Sequence, residues 1–95
     1  MEQQPLRFDG RVAVITGAGN GLGRAYALLL GQRGARVVVN DVNKQAASDV
    51  VETIRNQVGG DAHVSLNSVE TWEGAQKIAQ DTIDTYGRIG TCIYE

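Results

Sequence analysis

Thr16-Gly17-Ala18-Gly19-Asn20-Gly21-Leu22-Gly23 is the stretch that most restricts what this chain can become. It joins an apolar run, Val12-Ala13-Val14-Ile15, to a segment of helical pattern that begins near Ala25. A strand must therefore turn at once into a helix. Gly17, Gly21 and Gly23 let the backbone turn sharply and come close to a bound group. The helix that follows offers free N–H groups and the positive end of its dipole to an anion. A strand–turn–helix of this kind can hold the pyrophosphate of a dinucleotide. A generic tight turn is the alternative for the glycines alone, so the surroundings decide.

Those surroundings repeat one alternation. The unbroken apolar run of residues 12–16 predicts a strand buried on both faces. Leu22, Ala25, Tyr26, Leu29 and Leu30 recur at helical spacing, with Gly34 as the stop. Val37, Val38 and Val39 predict a second buried strand that ends at Asn40-Asp41. Asn43 then caps a helix whose apolar face is Ala47, Val51, Ile54 and Val58, broken by Gly59-Gly60-Asp61. Residues 62–66 read as a third strand. Residues 70–86 read as a third helix, with Ala75, Ile78, Ala79, Ile83 and Tyr86 inward, Trp72 packing near its start and Gly87 at its end. Residues 89–94 are β-prone and read as a fourth strand. Asp9-Gly10 is a turn in the lead-in. The order β-α-β-α-β-α-β with short connections predicts an α/β fold. It is a three-layer, Rossmann-type, doubly wound parallel sheet in strand order 3-2-1-4, of which this is the amino-terminal half. Residues 1–95 read as one partial nucleotide-binding domain, without internal repeat or linker.

Composition narrows the partners. Nine Lys and Arg stand against eleven Asp and Glu, with no basic run, which argues against nucleic acid. No apolar stretch approaches the ~20 residues of a membrane span. Met1-Glu2-Gln3-Gln4-Pro5 does not read as a secretory leader. The single cysteine, Cys92, has no internal disulfide partner, as suits a reducing compartment, and it reads as a small buried side chain. His63 reads as an ordinary strand residue, and one His with one Cys predicts no metal site.

The candidate cofactor-binding residues are Thr16, Gly17, Gly19, Asn20, Gly21, Leu22, Gly23, Asp41, Asn67 and Ser68. Asp41 ends the second strand, where a carboxylate can accept hydrogen bonds from the 2′- and 3′-hydroxyls of an adenosine ribose. Its charge repels a 2′-phosphate, which favours NAD over NADP. The positions from which a cation would counter that charge hold Asn20 and Val42; Arg24 and Arg36 stand elsewhere. Asn67-Ser68, after the third strand, is either a contact for the adenine edge or an ordinary loop whose polar groups cap the next helix. No Gly-Lys-Ser/Thr follows the glycines, so this is not a P-loop.

Thr16, Gly17, Gly21 and Gly23 match the Thr-Gly-x-x-x-Gly-x-Gly turn of the short-chain dehydrogenase/reductase family, which the chain resembles from Leu6 to about Ile89. Leu6-Arg7-Phe8-Asp9-Gly10-Arg11-Val12, Gly21-Leu22-Gly23-Arg24-Ala25-Tyr26-Ala27-Leu28 and Val37-Val38-Val39-Asn40-Asp41 look most like its multifunctional subfamily of peroxisomal β-oxidation, type 2. That resemblance implies an NAD-dependent oxidoreductase acting on a CH–OH group, with (R)-3-hydroxyacyl-CoA as the substrate of a full-length form. It also implies a peroxisomal location (otherwise the cytoplasm) and homo-oligomeric full-length relatives. Leu22 would line the nicotinamide side, Asp41 would bind the ribose, and Asn67-Ser68 would contact adenine.

The chain departs from the family pattern in three places. Asn67 stands where the family has Asp. Asp41-Val42-Asn43-Lys44 replaces the subfamily's Asp-Leu-Gly-Gly and its inserted loop. Gly90-Thr91-Cys92-Ile93-Tyr94-Glu95 replaces Asn-Asn-Ala-Gly, an ending that reads as truncated or altered. No Tyr-x-x-x-Lys occurs in the 95 residues. The expectation is therefore no catalytic residue and no dehydrogenase activity in this stretch alone. A non-catalytic nucleotide-binding module, or one that heterodimerises with full-length relatives, is the alternative.

Overall fold

The computed structural model describes residues 7–88 and 90–93. Four strands alternate with three helices: β1 (Val12–Thr16), α1 (Gly21–Gln32), β2 (Arg36–Asn40), α2 (Lys44–Asn56), β3 (Asp61–Ser65), α3 (Trp72–Tyr86) and β4 (Thr91–Ile93). All strand pairs are parallel and the order is β3-β2-β1-β4. This is the doubly wound half-sheet that the alternation predicts. β3 starts one residue earlier than predicted and α3 two residues later. The predicted ends of the fourth strand, Ile89 and Tyr94, and the first residue of the lead-in, Leu6, lie outside the described residues, as does the reading of the Cys92 side chain.

Alternation along the strands sorts the core into two layers. Ile15, Val37, Val39 and Ala62 meet Ala27 of α1 and Ala47, Val50, Val51 and Ile54 of α2 on one face. Val14 and Val38 meet Ile78 of α3 on the other. A fully buried side chain of the size of Ile54 contributes roughly 1.5–3 kcal/mol, and the buried positions of α2 run from Ala47 to Ile54 along its length. Asn43 caps α2 as predicted, its Oδ1 accepting from the Ala46 N–H at 3.0 Å. Gly87 closes α3 in the left-handed region, φ 83°.

Three inward faces differ from the sequence pattern. In α1 the buried positions are Gly23, Ala27 and Gly31, whereas Leu22, Ala25, Tyr26 and Leu29 are exposed. The cause is close approach. A Cβ on Gly31 would lie 2.9 Å from Cγ2 of Ile54, so α1 comes nearer to α2 than a leucine face permits. In α3 the buried pair is Ile78 and Thr82, with Ile83 turned outward. Thr82 hides its hydroxyl by donating to the Ile78 carbonyl at 2.7 Å, which lets a polar residue take an inward place. Trp72, expected to pack at the start of α3, is 73% exposed. In α2 Val50 joins the predicted face, and Val58 is half-buried against the same core.

Candidate functional site

Parallel strands bring the carboxyl ends of β1, β2 and β3 to one edge, where Thr16 pairs with Asn40 and Asn40 with Ser65. At this edge the chain leaves the sheet three times. The loops after β1, β2 and β3 enclose a crevice of about 240 Å³ lined by Thr16, Gly17, Asp41, Val42, Ser68, Val69 and Glu70.

The first loop is built by left-handed backbone. Gly17 (φ 64°) and Gly21 (φ 56°) adopt values that an L side chain resists. No atom stands within 4 Å of where a Cβ on Gly21 would be, so the turn is open toward solvent there. Asn20 occupies the N-cap of α1 in extended conformation, but its side chain makes no cap hydrogen bond, and the first turn of α1 carries no acidic residue. The other two helices differ. Asn43 caps α2, Thr71 caps α3 by accepting from the Gly74 N–H, and Glu73 sits in the first turn of α3. The N-terminus of α1 is thus the one of the three described helices left with neither a side-chain cap nor a countercharge, the state that suits a bound phosphate.

Asp41 ties the first two loops together. Its Oδ2 accepts the Gly19 N–H at 2.9 Å and its Oδ1 accepts the Asn43 N–H at 3.0 Å. A carboxylate has about four acceptor positions, so capacity remains for sugar hydroxyls on the crevice side. Gly19 is held tightly: a Cβ there would lie 2.7 Å from Oδ2 of Asp41 and 2.7 Å from Cβ of Ala46.

The predicted residues do not all reach one wall. Thr16, Gly17, Asp41 and Ser68 line the crevice, and Gly19 backs it through Asp41. Asn20, Gly21, Leu22 and Gly23 belong to the start of α1 beside it, and Leu22 is 57% exposed. Asn67 turns its Nδ2 toward Oδ2 of Asp81 on α3 at 3.4 Å, while its carbonyl is gripped from β2. The sequence reading missed Val42, Val69 and Glu70 in the lining. Val42 and Val69 supply apolar surface, and Glu70 brings a second carboxylate with no cation among the lining residues. The start of the third helix was placed at residue 70, which hid the loop role of Val69 and Glu70.

A parallel half-sheet with a glycine turn, an uncapped helix start and a carboxylate at the end of the second strand defines a Rossmann-type nucleotide-binding class. The chain belongs to the short-chain dehydrogenase family, whose family model matches residues 11–94. Among its relatives is the mouse protein "Peroxisomal multifunctional enzyme type 2", 47% identical over 98 aligned residues that take in 94% of this chain and 13% of that protein. The Drosophila melanogaster protein of the same name is 50% identical over 93 residues, with 88% of this chain and 15% of that protein covered. Among solved structures, "7 alpha-hydroxysteroid dehydrogenase complexed with NADH and 7-oxo glycochenodeoxycholic acid" superposes with a TM-score of 0.87 at 36% identity, covering 90% of this chain and 33% of that one. The chain therefore spans only a small part of its multifunctional relatives and a third of that solved dehydrogenase.

Proposed function

We propose that these residues form the NAD-binding part of an oxidoreductase acting on a CH–OH group, holding the adenosine and pyrophosphate end of the coenzyme. The observation that carries this is the Asp41 carboxylate, fastened to the Gly19 N–H at 2.9 Å at the mouth of a crevice that Gly17 and Ser68 also line. The glycine turn and the N-terminus of α1 receive the pyrophosphate. Asp41 accepts from the ribose hydroxyls. Asn67-Ser68 and the apolar side chains of Val42 and Val69 meet the adenine. Two carboxylates, Asp41 and Glu70, and no cation line this crevice, so a 2′-phosphate meets repulsion and NAD is preferred to NADP.

We take (R)-3-hydroxyacyl-CoA as the substrate of a full-length form, as the subfamily resemblance implies, and the names of the peroxisomal relatives support the peroxisome as its place. No helix among the described residues is long and apolar enough to cross a membrane. Removing the alcohol proton during hydride transfer calls for a positioned acid–base group. No Tyr-x-x-x-Lys occurs in the 95 residues, so this stretch binds without catalysing.

Isothermal titration tests the reading. NAD is expected to bind at least about tenfold more tightly than NADP, and Asp41→Ala is expected to weaken NAD by about tenfold or more, the scale of a charge-assisted hydrogen-bond pair. Equal binding of the two coenzymes contradicts it. In the same preparation a 3-hydroxyacyl-CoA with NAD should give no NADH absorbance; turnover would overturn the non-catalytic part.

A further inference from the structure

We infer that Asn40 is the positioning residue that fixes the adenine wall of the crevice relative to Asp41, an inference that rests on the nucleotide reading above. Four polar residues are buried among the described ones, and three of them, Thr16, Asn40 and Ser65, form a single row across the carboxyl ends of β1, β2 and β3. Asn40 stands in the middle of that row and is 3% exposed. Its side-chain Nδ2 donates one hydrogen to the Asn67 carbonyl at 2.8 Å and shares the other between the Ser65 carbonyl and the Ser65 Oγ, each at 3.2 Å. Two of these neighbours are carbonyls, which only accept, so the amide must present its NH₂ group there. The main-chain carbonyl of Asn40 accepts the Ala18 N–H at 2.9 Å. One residue thus touches the phosphate turn, the end of β3 and the loop beyond it, and it directly precedes Asp41.

The bond to Asn67 matters most. The β2–β3 ladder ends at the pair Asn40–Ser65, so Asn67 lies past the reach of regular pairing. Its carbonyl is held by a side chain instead, one residue before Ser68, which lines the crevice. An aliphatic residue at position 40 would continue the Val37-Val38-Val39 pattern but take this donor from the Asn67 carbonyl, whereas the Ser65 carbonyl would keep the Asp41 N–H at 3.0 Å. An Asp would set a carboxylate against them.

Nuclear magnetic resonance and titration of the 95-residue chain test this with two independent readouts. In Asn40→Ala the ¹⁵N order parameters of residues 66–69 are expected to fall below about 0.6 while β1 stays near ~0.85. The preference for AMP over IMP, which differ only at the purine edge, is expected to shrink at least about fivefold, beyond any common loss for both ligands. A rigid loop, or an equal fall for AMP and IMP, overturns the positioning role. If Asn40→Ala does not fold, Asn40→Ser decides: its single hydroxyl donor should give intermediate values of both readouts, and wild-type values overturn the proposal. A wild-type chain that binds neither nucleotide sinks the nucleotide reading and the adenine role with it, whereas an unloosened loop in the variant sinks the positioning role alone.

Discussion

Gly19 meets the Asp41 carboxylate and the Ala46 methyl at once, and a Cβ would be only 2.7 Å from each. One of these neighbours is the group that ties the glycine turn to β2, the other belongs to the first turn of α2. Neither is the loose end of a long side chain. Gly19→Ala should therefore destabilise the fold by about 1–3 kcal/mol, the usual scale of overpacking, and weaken NAD together with it. A urea titration and a binding isotherm on the variant check both; wild-type values in both would show that the turn is not seated against Asp41. Gly17 and Gly21 were readable from sequence because a strand–turn–helix joint dictates them locally, and Asp41 because it ends the second strand one crossover on. The tight seat of Gly19 was not readable, since it depends on Ala46, 27 residues later and brought near only by the crossover. Asn40 was passed over for a similar reason: its role lies in the acceptors of β3, which no pattern within β2 reveals.

At the scale of elements, the two faces of α1 make opposite claims. Helical spacing groups Leu29 with Leu22, Ala25, Tyr26 and Leu30, yet the structure leaves it 43% exposed and buries Ala27 completely. Leu29→Lys should then change stability by no more than about 0.5 kcal/mol, as for an ordinary surface site. Ala27→Leu should cost about 1–3 kcal/mol by overpacking. The reverse ranking in denaturant midpoints would make the leucine face the inward one. The sequence pattern identified each helix and strand among the described residues, yet hydrophobic spacing favours the larger side chains. It could not see that α1 and α2 pack at Gly31 and Ile54, where the small residue is the one that fits. Thr82 escaped for a related reason, because a threonine that returns its hydroxyl to the turn before behaves as an apolar residue.

Across the whole molecule, Tyr86 links α3 to the amino ends of β2 and β3. Its hydroxyl faces Oδ1 of Asp61 at 3.4 Å and its ring lies 5.9 Å from the Arg36 guanidinium carbon. Burial first, and then the Asp61 carboxylate, push the phenol up to about 12, against the pull of Arg55 and Arg36. An unfolded tyrosine ionises near ~10. The native state therefore favours the neutral phenol. The stability this contributes is whole below about pH 10 and is lost as pH rises toward about 12. Urea midpoints should fall between those values, and Tyr86→Phe should flatten the fall; an unchanged slope in the variant would remove Tyr86 from the account. The topology was legible in full, because strand order follows from alternation and handedness. The candidate site was legible where one loop makes it and hidden where two elements meet.

The central claim is that the crevice at the carboxyl ends of β1, β2 and β3 receives the adenosine end of NAD. The most direct test is backbone chemical-shift mapping with AMP. The largest shifts are expected at Gly17, Gly19, Asp41 and Ser68. A second cleft, lined by Arg7, Arg36, Gly59 and Asp61, opens among residues at the opposite ends of β2 and β3. Shifts gathered there, with Asp41 and Gly19 unmoved, would contradict the account.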